Sequence, residues 1–306
     1  MLSRTALFRH EGALFSSVWN VVGFIAWCQE QGFDPVVDFL SVSRVNSWKG
    51  NSPRNIWTEY FRQISAVSAE EAISRGDYLL FEGRPTAFPV HEYSQKQQYR
   101  EIFHENIVLS EKAQQIVSFW EDLLAQEGKI LGVHARGTDM KFAKSHLSPP
   151  THFQLVMMVD RAMDVGTFDR IFLATEDAIQ LKLFEKRYGQ KIMTTDSFRA
   201  RGNGKIAHRP SSVMQWSFLL GFQVIRDAWL LSQCAGLVSG YSNVSEHAQV
   251  IRNAPYEINL QIRRPRVDIV GSSPGVIKVS NFLREHTVSR FPGRDFKIVD
   301  RSGKIG

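Results

Sequence analysis

Short apolar runs rich in strand-forming residues recur along the 306-residue chain, each followed by a polar break and a longer stretch with helical spacing. That alternation constrains the fold more than any other feature. Strands that read as continuous apolar runs are buried on both faces, as in parallel sheets covered by helices. Residues 5–9 lead through Glu11 and Gly12 into 13–31, whose apolar residues suit a buried helix. Gly32 can cap that helix, and 35–39 reads as the next strand, which makes a βαβ unit. A further strand is expected at 78–81, before Gly83, Pro85 and Pro89 break the pattern. Residues 101–126 read as one or two helices leading to Gly128.

A second series follows, with strands expected at 130–135, 171–175, 192–195 and 236–239. Helical patterns at 153–165, 178–188 and 214–231 separate them. Two successive α/β units meeting near 127–129 are the predicted architecture, with the polar, Gly-rich stretch 202–212 as a long loop at the active face.

Composition removes other classes. The chain is 43% hydrophobic and 22% charged, which excludes disorder, collagen and coiled coil as whole-chain answers. Cys28 and Cys234 lie far apart inside apolar runs, so buried free thiols are expected rather than a disulfide framework or a four-thiolate metal site. The apolar stretch 13–28 is broken by Ser16, Ser17 and Asn20. It is short of the roughly 18–20 residues of a membrane span and makes a poor signal peptide, so a cytoplasmic protein is expected.

The net charge of +6 is uneven: from Gln261 onward ten Lys and Arg face four Asp and Glu, which is the whole excess. Either this is a solvated face, or it makes a peripheral contact with anionic lipid at the inner membrane face. No aromatic-basic module accompanies it, so nucleic acid is not an expected partner.

Polar residues gather where the strands of the second series end, which is where ligands bind in open α/β sheets. His134, Arg136, Thr138 and Asp139 close the first strand, and Thr175, Glu176 and Asp177 close the second. The strand at 236–239 runs into Gly240, Tyr241, Ser242, Asn243 and Ser245 at the start of a helix. That arrangement has the form of an anion site, although Asn243 and Glu246 are also spaced like a capping pair. Arg136 can make bidentate bonds to a diphosphate or form an ion pair with Asp139 or Glu176. His134 is either a ligand contact or a satisfied core histidine. Asp227, in an otherwise apolar helix, either faces the crevice or pairs with Arg226.

The sequence has no HExxH, no pair of Cys-x-x-Cys, no GxxxxGK[ST], no GxGxxG and no Asp-x-Asp. No metal site is therefore expected. Any sugar nucleotide would have its phosphates neutralised by basic groups and backbone amides.

His134-Ala135-Arg136-Gly137-Thr138-Asp139 resembles the His-x-Arg-x-Thr-Asp motif of the α1,6-fucosyltransferase family, which includes the bacterial nodulation fucosyltransferases. Phe172-Leu173-Ala174-Thr175-Glu176-Asp177 resembles the family's second motif. Asp227 to Gln233 followed by Val238 to Asn243 resembles its third region, in the same order over 128–250. The N-terminal third is similar only loosely, through 12–20 and 55–61.

The resemblance implies two Rossmann-like α/β domains with parallel sheets facing a cleft, the GT-B type. Residues 1–127 would form the acceptor side and 128–306 would bind the donor. It implies inverting, metal-independent transfer of fucose from GDP-fucose to a glycan or glycolipid hydroxyl, without a cofactor. Arg136 would contact the β-phosphate and stabilise the leaving GDP. His134 and Asp227 would sit near the nucleoside, Ser242 and Asn243 near the diphosphate, with Gly12, Thr175, Glu176, Asp177 and Ser245 completing the donor site.

The chain departs from the family at Gly137 and Met140, and no acid lies between Lys141 and Thr151. The general base is therefore open among Asp139, His146 and Asp177. A non-catalytic nucleotide- or glycan-binding relative and a transferase using another nucleotide-sugar are the alternative readings.

Overall fold

The computed structural model describes residues 4–9, 14–39, 55–82, 93–136, 149–200, 215–263 and 297–301. Their elements run β1 (Arg4–Arg9), α1 (Leu14–Gln31), β2 (Phe33–Val37), α2 (Ile56–Tyr60), α3 (Ala69–Arg75), β3 (Tyr78–Glu82), α4 (Tyr93–Asn106) and α5 (Glu111–Ala125). Then come β4 (Ile130–His134), α6 (His152–Gly166), β5 (Arg170–Ala174), α7 (Ala178–Tyr188), β6 (Ile192–Met193), α8 (Gln215–Gln233), β7 (Gly236–Gly240), α9 (Asn243–Ile251), β8 (Ile258–Arg263) and β9 (Lys297–Asp300). The chain divides into two compact units, one of residues 1–119 with 210–226, the other of 120–209 with 227–306. Among the described residues no helix is long and apolar enough to cross a membrane.

The first unit holds a parallel sheet in the order β2-β1-β3. Ala6, Leu7 and Phe8 of β1 are sealed from solvent, and Phe8 stacks on Phe24 of α1 with centroids 5.1 Å apart. α1 is apolar on nearly every side because nearly every side is covered. Gly32 ends it at φ 70°, a backbone conformation that costs glycine nothing.

Asn55 holds the end of β2. Its Oδ1 accepts from the N–H groups of Phe39 and Trp57, the latter capping α2, and its Nδ2 donates to the carbonyl of Val37. At the carboxyl ends of β1 and β2, Arg9 Nε lies 2.7 Å from the fully buried carboxylate of Asp38.

The second unit is a six-stranded sheet in the order β6-β5-β4-β7-β8-β9, parallel except for the last pair. Leu131, Val133, Leu155, Val159, Phe168, Leu173, Val238 and Leu260 share one core between the sheet and α6. Cys28 and Cys234 are both free and buried. Both units are α/β with parallel sheets, the predicted fold class. The antiparallel β9 is an addition that the sequence pattern did not carry.

From β4 the chain steps outward to β5 and β6, then returns across the sheet to continue as β7 and β8. The order reverses between β4 and β7. In open α/β sheets the crevice outside the carboxyl ends at such a reversal is where ligands bind.

Candidate functional site

The carboxyl ends of β4 and β7 are joined by side chains. His134 and Ser239 are register partners on the two strands, and both are buried. Just beyond β7, Ser242 Oγ lies 3.1 Å from His134 Nδ1. Among the described residues the other ring nitrogen of His134 makes no hydrogen bond. Burial pushes the imidazole down to about 4, with the Glu176 carboxylate opposing and the Arg136 guanidinium assisting that shift. His134 is thus a neutral donor–acceptor at physiological pH, and it feels charges from the ends of both β4 and β5.

Ser242 is also the N-cap of α9, its Oγ accepting from the Ser245 N–H at 3.2 Å. Ser245 Oγ in turn reaches the carbonyls of Gly240 and Ser242 at 2.9 and 3.0 Å. The Asn243–Glu246 capping pair that the spacing suggested does not form: the cap lies one residue earlier, and Ser245 occupies the third helical position. The carboxamide of Asn243 consequently makes no hydrogen bond among the described residues. What results is a short turn, Gly240 to Ser242, that opens a helix, whose first-turn N–H groups and positive dipole end lie there.

The end of β5 serves two purposes. Thr175, buried, donates to the carbonyl of Ala135 at 2.7 Å and accepts from the Asp177 N–H at 3.1 Å. Asp177 caps α7, its Oδ1 accepting from the Ile179 N–H at 2.8 Å. Both thereby hold the loop that carries Glu176, which is half-buried. Arg136, also half-buried, follows Ala135, whose N–H donates to the carbonyl of Ala174.

Asp227, on α8, accepts from Thr195 Oγ1 at 3.2 Å. Thr195, just beyond β6, lies 2.9 Å from Ser197 Oγ, and its carbonyl takes a bond from Arg199 Nη2 at 2.7 Å. Sequence reasoning missed Thr195, Ser197 and Arg199. The signal available was the polar run that follows β6, at 194–199.

The structure therefore brings His134, Ser242 and Ser245 into one hydrogen-bonded group, with Arg136 and Glu176 close enough to shift its titration. Asp227 belongs to the β6 end. Gly12, Asp139 and His146 lie outside the described residues. Among the described residues no group of three or more His, Cys, Asp and Glu could hold a metal ion.

No family model matches the chain, and no curated protein matches it. Solved structures do. NodZ α1,6-fucosyltransferase in a crystal soaked with GDP-fucose aligns at a TM-score of 0.58 with 13% identity, over 97% of this chain and 99% of that one. Fucosyltransferase NodZ from Bradyrhizobium aligns at 0.58 with 13% identity, over 85% of this chain and 96% of that one. NodZ co-crystallised with GDP aligns at 0.56 with 13% identity, over 85% and 95%. At such low identity the likeness is one of fold, and it spans nearly the whole of both chains. This chain has the α/β fold of the NodZ α1,6-fucosyltransferase structures, the same family its motifs resemble.

Proposed function

We propose that the chain is an inverting, metal-independent glycosyltransferase that moves fucose from GDP-fucose to a glycan or glycolipid hydroxyl. One observation carries the reading. The strand order reverses between β4 and β7, and that point holds a neutral His134, within reach of the Arg136 charge and bonded to Ser242, which caps α9. Two of the structures that share the fold are described as holding GDP or soaked with GDP-fucose, which supports a guanine nucleotide as the ligand.

In the proposed reaction the acceptor oxygen attacks C1 of fucose from the face opposite the diphosphate. The bond from C1 to the β-phosphate oxygen breaks, and its electron pair leaves with GDP. Negative charge thus grows on the diphosphate, where the Arg136 guanidinium and the α9 N–H groups can stabilise it by about 3 kcal/mol. The acceptor proton passes to a base. Asp139, His146 and Asp177 are the candidates, and the use of Asp177 as a helix cap favours the other two. Residues 128–306 are proposed as the donor side and 1–127 as the acceptor side. The basic C-terminal residues are proposed to contact anionic membrane, which co-sedimentation with anionic vesicles tests.

Calorimetric titration of GDP in EDTA, into wild type and Arg136→Ala, tests the donor site. Binding by wild type that weakens about 100-fold in Arg136→Ala is expected, since a charge-assisted bidentate contact contributes roughly 2–3 kcal/mol. Absence of GDP binding to wild type would remove the reading. GDP binding without acceptor-dependent GDP release from GDP-fucose would leave a non-catalytic relative.

A further inference from the structure

The α9 turn that the proposed function loads with a diphosphate carries an acid of its own. Glu246, in the first turn of the helix, is only 5% exposed. An unneutralised buried carboxylate there would repel a diphosphate bound at the same helix end, because like charges in a low-dielectric setting interact strongly. The structure supplies a counter-charge from a distant part of the chain. Arg301 follows β9, and its Nη2 lies 3.3 Å from Glu246 Oε1, with the guanidinium side chain 11% exposed.

Arg301 is itself held on every side that matters to this contact. Its Nη2 also donates to Gln261 Oε1 at 3.0 Å and its Nη1 to Gln249 Oε1, while its N–H bonds the carbonyl of Asn259. Gln261 Nε2 completes the group with a 2.5 Å bond to Glu246 Oε1. Tyr241, at the end of β7, registers the same charges. Burial first and the Glu246 carboxylate second raise its phenol, and Arg263 and Arg301 pull it back.

We propose that Arg301 is a positioning residue for the donor: delivered by the antiparallel strand β9, it neutralises Glu246 so that the first turn of α9 can accept a diphosphate. This rests on the proposed function, and it gives the C-terminal strand a part in donor binding that none of the motif residues provides. Arg301 does not touch the donor; it acts through Glu246.

GDP titration into wild type, Arg301→Gln, Glu246→Gln and the double variant reads the charge directly. Arg301→Gln is expected to raise the GDP Kd about 10-fold, or ~1.4 kcal/mol, and to leave guanosine binding unchanged. Glu246→Gln is expected to bind GDP about threefold more tightly, a gain of the size a helix-end charge produces. The double variant is expected to return to within about threefold of wild type, and Arg301→Lys to keep most of the affinity.

Wild-type-like GDP binding by Arg301→Gln would overturn the proposal. So would a double variant as weak as Arg301→Gln, since a purely structural role for Arg301 gives no rescue. Should Arg301→Gln fail to fold, Glu246→Gln alone decides: weaker GDP binding overturns the proposal. Absence of GDP binding to wild type would instead remove the proposed function, so the two failures are distinct.

Discussion

Ser242 Oγ lies 3.1 Å from His134 Nδ1, tying the cap of α9 to the end of β4 across 108 residues of sequence. Burial keeps that imidazole neutral in the folded protein, pushing it down to about 4. In the unfolded chain the same ring titrates at about 6.5. Between those values the unfolded state binds more protons than the folded state, so stability is fully present above pH 6.5 and falls as pH drops toward 4. His134→Asn is expected to flatten that fall by on the order of 1–2 kcal/mol between pH 7.5 and 5, measured by urea unfolding at each pH. Part of the acid sensitivity remains in the variant, because His247 is also buried and pushed down to about 3. An unchanged pH profile would mean that His134 is not held neutral in the folded protein.

Thr195 fixes one oxygen of Asp227, which leaves the carboxylate oriented for the nucleoside contact that the family resemblance implies. Thr195→Val keeps the shape and removes the donor. GDP affinity is expected to fall about 3–10-fold, the effect of one ordinary hydrogen bond. The preference for GDP over ADP should narrow with it. Equal GDP affinity in wild type and variant would take Thr195 out of the donor site.

Gly240 closes β7 with no room for a side chain: a Cβ there would meet Pro150 Cδ at 2.6 Å. Gly240→Ala is expected to destabilise the protein by roughly 1–3 kcal/mol, as overpacking does. Because the Gly240 carbonyl also accepts from Ser245 Oγ, GDP affinity should drop alongside the melting temperature. A melting temperature equal to that of wild type would show that Pro150 can move aside.

Much of this was legible in the sequence. β1, β4, β5 and β7 are apolar runs whose burial leaves few alternatives, and α7 spans 178–188 as its spacing predicted. The residues that the motifs point to, His134, Arg136, Thr175, Glu176, Asp177, Ser242, Asn243 and Ser245, all lie at the ends of β4, β5 and β7.

β8 escaped because Asn259 and Gln261 interrupt its apolar pattern. Both are buried, and Gln261 is satisfied by Glu246, Arg263 and Arg301. Asn55 reads as a weak family match. Its hydrogen bonds close β2 and cap α2, which is a structural use. The cap of α9 was misplaced by one residue, since Ser242 and Asn243 stand side by side and either can cap.

The sequence by itself determined the local grammar: which stretches are strands, which are helices, and that polar groups gather where strands end. Backbone preference and hydrophobic period act over a few residues and can be read one segment at a time. Only the tertiary structure decided which strand ends meet. The order β6-β5-β4-β7-β8-β9 sets His134 against Ser242, and it brings Arg301 to Glu246 from 55 residues away. Those pairings depend on how crossovers stack strands side by side, which is settled by packing over the whole sheet rather than by any local run.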